Sequence, residues 1–269
     1  MAVEGAHDTN IYLSTGDGAR KMNSIQSVAI SQNVAEEASL IVGKDLSSTQ
    51  INGPTQTTVS VDKFLNNNDF IRTLTGKNDV SGQFEYGDNL LNFSEACLDN
   101  FSVSAAVNEL PQAAFDFTIY GSMSGTSTSL SSTSIADNNI EEIPVEGLIA
   151  TFDKSSTNAV QSFNYSETYN KQVIYGVGST KAADIKFLGP IAQEASIEIE
   201  VEDYEPEETF SFLSGSKDRN RTIKLQISGE SSILNTFELE NARLVSESVS
   251  TSVGNTIIAN LTYRGHKKV

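Results

Sequence analysis

The chain has 269 residues, 38% of them hydrophobic, with no tryptophan, a single cysteine, and 35 acidic against 18 basic residues for a formal charge of −17. That length holds one large or two ordinary domains, a lone Cys97 excludes an internal disulfide framework, and a net charge of this sign lacks the basic footprint that gripping nucleic acid requires. No apolar run approaches the roughly 18 residues of a membrane helix, and Met1–Gly5 lacks the basic and apolar stretches of a secretory leader, so folding in a cytoplasm is expected.

Along the chain, alternation of period two dominates, the mark of half-buried strands. The first strand signal is Asn10–Ser14, followed by Ser27–Ser31. A long loop, Gly43–Gly53, separates this from the next strand, Thr58–Asp62. A short helix is expected over Asn68–Gly76, which opens on cap residues and stops at glycine. Cys97 lies in a strand edge and reads as a small buried apolar residue. Ala114–Ile119 alternates again, and Gly121–Ile135 is a Ser/Thr/Gly stretch with too little apolar surface to fold alone, expected as a flexible linker.

Beyond it, strand signals fall at Phe163–Glu167, Ala195–Glu202, Thr222–Ile227, Arg243–Val249 and Thr256–Thr262, with a second long loop at Gly176–Gly189. In the Ala195–Glu202 strand, Ile197, Ile199 and Val201 face one way and Glu198, Glu200 and Glu202 the other. Pro206–Gly215 is the second expected helix, with proline and two acids where a helix start favours them.

The same ordered signals occur twice. Ile25–Val28 returns as Val160–Phe163, Gly53-Pro54 as Gly189-Pro190, Leu74–Gly76 as Leu213–Gly215, Ser102–Val107 as Ser248–Val253, and Thr118–Gly121 as Thr262–Gly265. Asn10–Ser14 is matched with Val145–Ile149. Five matches in one order, with slowly drifting offsets, indicate an internal duplication. The expected organisation is mainly β: a first copy over residues 1–124, a linker over 125–144 and a second copy over 145–269. Each copy is expected to be a β-sandwich or partial barrel with one short flanking helix.

Reactive chemistry is sparse. The two histidines, His7 and His266, both lie near a terminus and do not suggest a Ser-His-Asp or Cys-His nucleophile. One cysteine and no interior histidine argue against a transition-metal site. Gly176–Lys181 has the wrong order for a phosphate loop, since the lysine follows the threonine. No catalytic residue, metal or cofactor is expected. The Asn-x-Ser/Thr triplets at Asn92, Asn100, Asn164, Asn220 and Asn260 read as ordinary polar composition.

Two stretches carry a family resemblance: Leu98–Pro111 leading into Phe115–Gly121, and Val160–Ser166 with the later Gly189-Pro190 and the Ile/Glu strand. In these the chain resembles the tail tube (major tail) proteins of tailed bacteriophages. The resemblance implies a β-sandwich with a flanking helix whose inner sheets join around a ring, and rings stacked into a hollow tube through which DNA passes without specific binding. It implies a virion location, assembly in the host cytoplasm, and a tape-measure protein, tail terminator and baseplate proteins as partners beside the chain itself. Long loops would reach between rings, a role for Gly43, Lys44, Asp45, Asn52 and Gly53 and for Gly176, Lys181, Asp184, Lys186 and Gly189. Glu198, Glu200 and Glu202 become candidate lumen acids, where like charge would keep phosphate from adhering. With two copies per chain, a trimeric ring of pseudo-six-fold symmetry is expected over a hexamer. A distal-tail or baseplate ring component and an adhesive, carbohydrate-binding β-sandwich are the alternatives.

Overall fold

A computed structural model of the chain describes residues 9–14, 19–38, 50–66, 74, 76–77, 79–130, 140–152, 155–176, 179, 181–201, 221–229, 233–250 and 257–268. Seventeen strands make up almost all of this: β1 (Thr9–Ser14), β2 (Ala19–Met22), β3 (Ile25–Ala38), β4 (Gln50–Phe64), β5 (Val80–Tyr86), β6 (Asn89–Ala106), β7 (Gln112–Ile119), β8 (Met123–Thr126), β9 (Leu148–Phe152), β10 (Ser155–Thr157), β11 (Val160–Thr168), β12 (Lys171–Tyr175), β13 (Ala182–Phe187), β14 (Ile191–Val201), β15 (Arg221–Ser228), β16 (Ile233–Ser250) and β17 (Ile257–Lys267). The protein is mainly β, and each strand signal read from alternation lies in one of these strands as far as it is described, Glu202 and Thr256 lying outside the described residues. The expected helix over 206–215 lies outside the described residues, as does most of that over 68–76. What is described of the latter is a single turn, in which Lys77 N–H donates to the Leu74 carbonyl at 3.1 Å and Gly76 takes φ +71°.

Two long strands organise the architecture. The first part of β6 pairs with β5, which continues through β1 to β2, while its second part pairs with β7, which continues through β4 to β3. The first part of β16 likewise pairs with β15, then β9 and β10, and its second part with β17, then β14 and β11. The two series therefore have the same strand order. Their ladder irregularities also fall at matching places. β3–β4 shifts register between Ile25 and Ser27, and β11–β14 between Val160 and Ser162. β6–β7 shifts between Leu98 and Asn100, and β16–β17 between Leu244 and Ser246. A bulge inserts a residue and bends its strand.

These registers sharpen three positional matches. Ser27 opposite Asp62 corresponds to Ser162 opposite Glu198, and each serine hydroxyl donates to its carboxylate, at 2.5 and 2.9 Å. Thr118 corresponds to Arg264 rather than to Thr262, because Thr58–Thr118 occupies the ladder position of Glu194–Arg264. Ile11 corresponds to Ala150, so β9 starts later than the Val145–Ile149 match implies. Short motif matches slide easily along alternating sequence, whereas backbone ladders do not.

β6 also pairs antiparallel with β11, from Asn100↔Thr168 to Ala106↔Ser162. The inner strands thereby form one continuous antiparallel sheet in the order β3-β4-β7-β6-β11-β14-β17-β16. One face of it is apolar and packs on the outer strands. In the first series Phe84 stacks on Phe117 with centroids 6.2 Å apart, and Phe93 meets the same ring at a tilt with centroids 5.6 Å apart. In the second, Phe237 lies 5.2 Å from Tyr165 and 6.2 Å from Phe163, and it also meets Phe101 of β6 at 6.3 Å. The buried side chains of both series form one cluster, so the core runs through the β6–β11 junction.

The Ser/Thr stretch differs from a free linker wherever it is described. Met123–Thr126 adds β8 to β6, and the Gln83 side chain donates to the Thr128 carbonyl and accepts from Leu130 N–H at 2.9 and 2.8 Å. Further on, Ile143 is fully buried and exchanges backbone hydrogen bonds with Asn108 and Glu109. A low apolar content prevents independent folding, but one buried amide and a few apolar anchors are enough to dock such a segment on an existing sheet.

Candidate interaction surface

The outward face of the inner sheet is largely polar from β4 to β17. Alternation places Ser60 and Asp62 of β4, Ala114 and Asp116 of β7, Ser102 and Ser104 of β6, Asn164 and Ser166 of β11, Glu194, Ser196 and Glu198 of β14, and Asn260 and Thr262 of β17 on this side. A shallow depression of about 390 Å³ lies here over β7, β6 and β11. Acids dominate its charge. Asp116 accepts from Asn100 at 2.7 Å, Glu198 from Ser162, and Glu200 from the Gln161 amide at 2.6 Å. Arg264 is held by Glu194 at 2.7 Å, in a pair largely open to water. The predicted alternation of β14 is as observed for Ile197, buried at 2%, and for Glu198 and Glu200 on the opposite side. Glu202 lies outside the described residues.

One end of this face is covered by the β12–β13 hairpin. Ile185 packs on Cys97 and Tyr120, the three forming a small buried cluster apart from the main core. Lys171, its side chain only 7% exposed, makes an ion pair with Asp99 and sits 5.0 Å from the centre of the Tyr120 ring. Asp99 also accepts from the Thr118 hydroxyl at 2.6 Å, and Gln56 donates to the Tyr175 hydroxyl at 3.0 Å. Burial pushes the Cys97 thiol up to about 11 and raises the Tyr120 phenol, with the Asp99 charge adding to both shifts. Cys97 is thus a buried thiol held protonated, as an apolar packing residue would be.

Of the candidate inter-ring residues, Gly176, Lys181, Asp184, Lys186 and Gly189 belong to this hairpin or its flanks. Asp184 and Lys186 form an exposed pair at 3.6 Å, and Gly189 takes φ +67°. Asn52 and Gly53 lie in β4, while Gly43, Lys44 and Asp45 lie outside the described residues. Among the described residues no group of three or more histidine, cysteine or acidic side chains could hold a metal ion. No described helix is long and apolar enough to cross a membrane.

Sequence reasoning missed a buried polar knot beside the β6–β11 junction. Glu167, 1% exposed, accepts from the hydroxyls of Tyr165 and Tyr169. The Gln193 amide donates to the Tyr165 hydroxyl at 2.8 Å and to the Glu238 carbonyl at 2.9 Å, and its oxygen accepts from Glu240 N–H at 3.0 Å. The knot ties β11 and β14 to β16 with every named polar group partnered, which is the condition for tolerating a buried carboxylate. Its signal in the sequence is a glutamate on the apolar side of a strand, in the series Phe163, Tyr165, Glu167, Tyr169.

No protein-family model matches the chain, and no curated protein matches it.

Proposed function

We propose that the chain is a structural subunit of a phage tail tube, built from two tandem copies of one β domain and polymerising into stacked rings around a DNA conduit. The observation that carries this reading is the β6–β11 pairing, which fuses two arrays of identical strand order into one sheet whose two end strands have no further partner strand among the described residues. A sheet built by repetition and open at both ends is an element of a larger closed sheet. Three chains supply six repeats, so the ring is a trimer with pseudo-six-fold symmetry. The outward polar face, with Asp62, Asp116, Glu194, Glu198 and Glu200, lines the channel and repels phosphate. Tape-measure, terminator and baseplate proteins are the remaining partners, DNA passes without specific binding, and the chain has no catalytic role.

Electron microscopy of the purified protein tests this reading. Long tubes with a regular ring repeat are the expected result. A protein that stays monomeric at high concentration, under every salt and crowding condition that supports virion assembly, contradicts it.

A further inference from the structure

Among the described residues, the two open edges of the inner sheet are β3 at one end and the second part of β16 at the other. They differ from the other edges. β2, β8 and β10 are only three or four residues long, and shortness is one way of blunting an edge against unwanted pairing. β3 carries no charge and no proline from Ile25 to Asn33, and Ile30 stands 46% exposed on it. Such an edge is expected to be paired in the working protein.

The chain contains its own template for that pairing. By strand order and bulge position, β3 corresponds to β11 with Ser27 at the place of Ser162, and β16 corresponds to β6 with Ser246 at the place of Asn100. In the internal junction β6 pairs with β11. We infer that β16 of one chain pairs antiparallel with β3 of a second copy, in the register of the β6–β11 junction. Carrying that register over sets Ser246 opposite Asn33, Glu247 opposite Gln32, Ser248 opposite Ser31, Val249 opposite Ile30 and Ser250 opposite Ala29.

The side chains suit these places. Val249 and Ile30 stand where Val103 and Tyr165 meet, both buried at the internal junction, so the exposed isoleucine gains an apolar partner. Ser31, Ser248, Ala29 and Ser250 stand where Ser166, Ser102, Asn164 and Ser104 form the polar face, which would continue unbroken across the chain boundary. Gln32 brings an amide donor opposite the Glu247 carboxylate. Because the two edges differ, the contact is head-to-tail, and it closes into a ring when the rotation per chain divides the circle. The inference rests on the duplication proposed above but not on the phage role.

Two single-cysteine additions test it, Ser31→Cys and Ser248→Cys, made in separate full-length proteins that retain the buried Cys97. Mixed and oxidised, they should give a disulfide-linked dimer that neither protein gives alone. The yield should exceed by about tenfold that of Ser31→Cys with Ser246→Cys, which is two residues out of register, because disulfide geometry tolerates little displacement. Ala29→Cys with Ser250→Cys is the second pair, should either first variant fail to fold. Dimers from Ser31→Cys alone, or equal yields in and out of register, overturn the inference. Microscopy of the same samples separates the two claims: tubes without the cross-link refute the register and leave the tube reading standing. The cross-link without tubes does the reverse, and monomers without cross-link refute both.

Discussion

At the residue scale, corresponding positions in the two series are filled by different but compensating side chains. Gly82 of β5 sits where a Cβ would come within 2.2 Å of the Tyr12 carbonyl oxygen and 2.5 Å of the Phe93 ring. The matching ladder pair in the second series is Ile223 opposite Leu239, where the first has Gly82 opposite Phe93. A large ring beside glycine and two branched aliphatics fill comparable space, as volume-conserving exchange requires. Gly82→Ala is therefore expected to destabilise by about 1–3 kcal/mol, read by chemical denaturation, from overpacking alone. Phe237→Ala should cost about 3–5 kcal/mol, because the ring serves both β6 and β11 and the strands around it cannot collapse into the space. Cys97 gives a pH prediction. An ordinary thiol in the unfolded chain ionises around 9.0, whereas the folded site holds the proton up to about 11. Its contribution to stability is thus intact below pH 9 and declines as the pH rises through that interval. Cys97→Ala should flatten the alkaline limb of the stability profile, and the native thiol should resist alkylation at pH 8.

At the scale of elements, the strongly alternating strands were legible in the sequence, while short ones such as β8 and β13 and the partners of all of them were not. Alternation at Ala114–Ile119 or Ala195–Val201 reports one buried face whatever the neighbour, so it locates β7 and β14 without saying what lies beside them. Pairing of β6 with β11 joins residues some sixty positions apart, and nothing local in Phe101–Ala105 or Phe163–Glu167 marks them as partners. Glu167 was not singled out within Phe163–Glu167, because the network in which it accepts two tyrosine hydroxyls is completed by Gln193 from another strand. Of the candidate lumen acids, Glu198 and Glu200 were legible because they need only the period of one strand. Gly176–Gly189 read as a long loop although it contains β13, because Cys97 and Tyr120, the anchors of Ile185, lie far away in sequence. Lys171→Ala should remove both the Asp99 pair and the ring contact. Its expected cost is about 3 kcal/mol, as for breaking a buried ion pair, and the hairpin amides should lose hydrogen-exchange protection well before those of β6 or β7.

For the whole molecule, the inner sheet is one continuous unit that spans both series. Its core passes without interruption through the β6–β11 junction, so the two series are expected to unfold as one cooperative unit. Calorimetry should show a single transition in unassembled protein. A deletion of residues 176–189 that leaves tubes intact would remove that segment from the inter-ring contacts. Acidic residues on the polar face make no contribution to the core, so Glu198→Gln with Glu200→Gln should leave folding nearly unchanged while increasing DNA retention by assembled tubes at low salt. The most direct measurement is a cryo-electron microscopy reconstruction of the assembled ring. The expected ring holds three chains, with β16 of each continuing into β3 of the next just as β6 continues into β11. A ring of six chains in which only one series forms the wall, or one in which β3 and β16 remain unpaired, would contradict it.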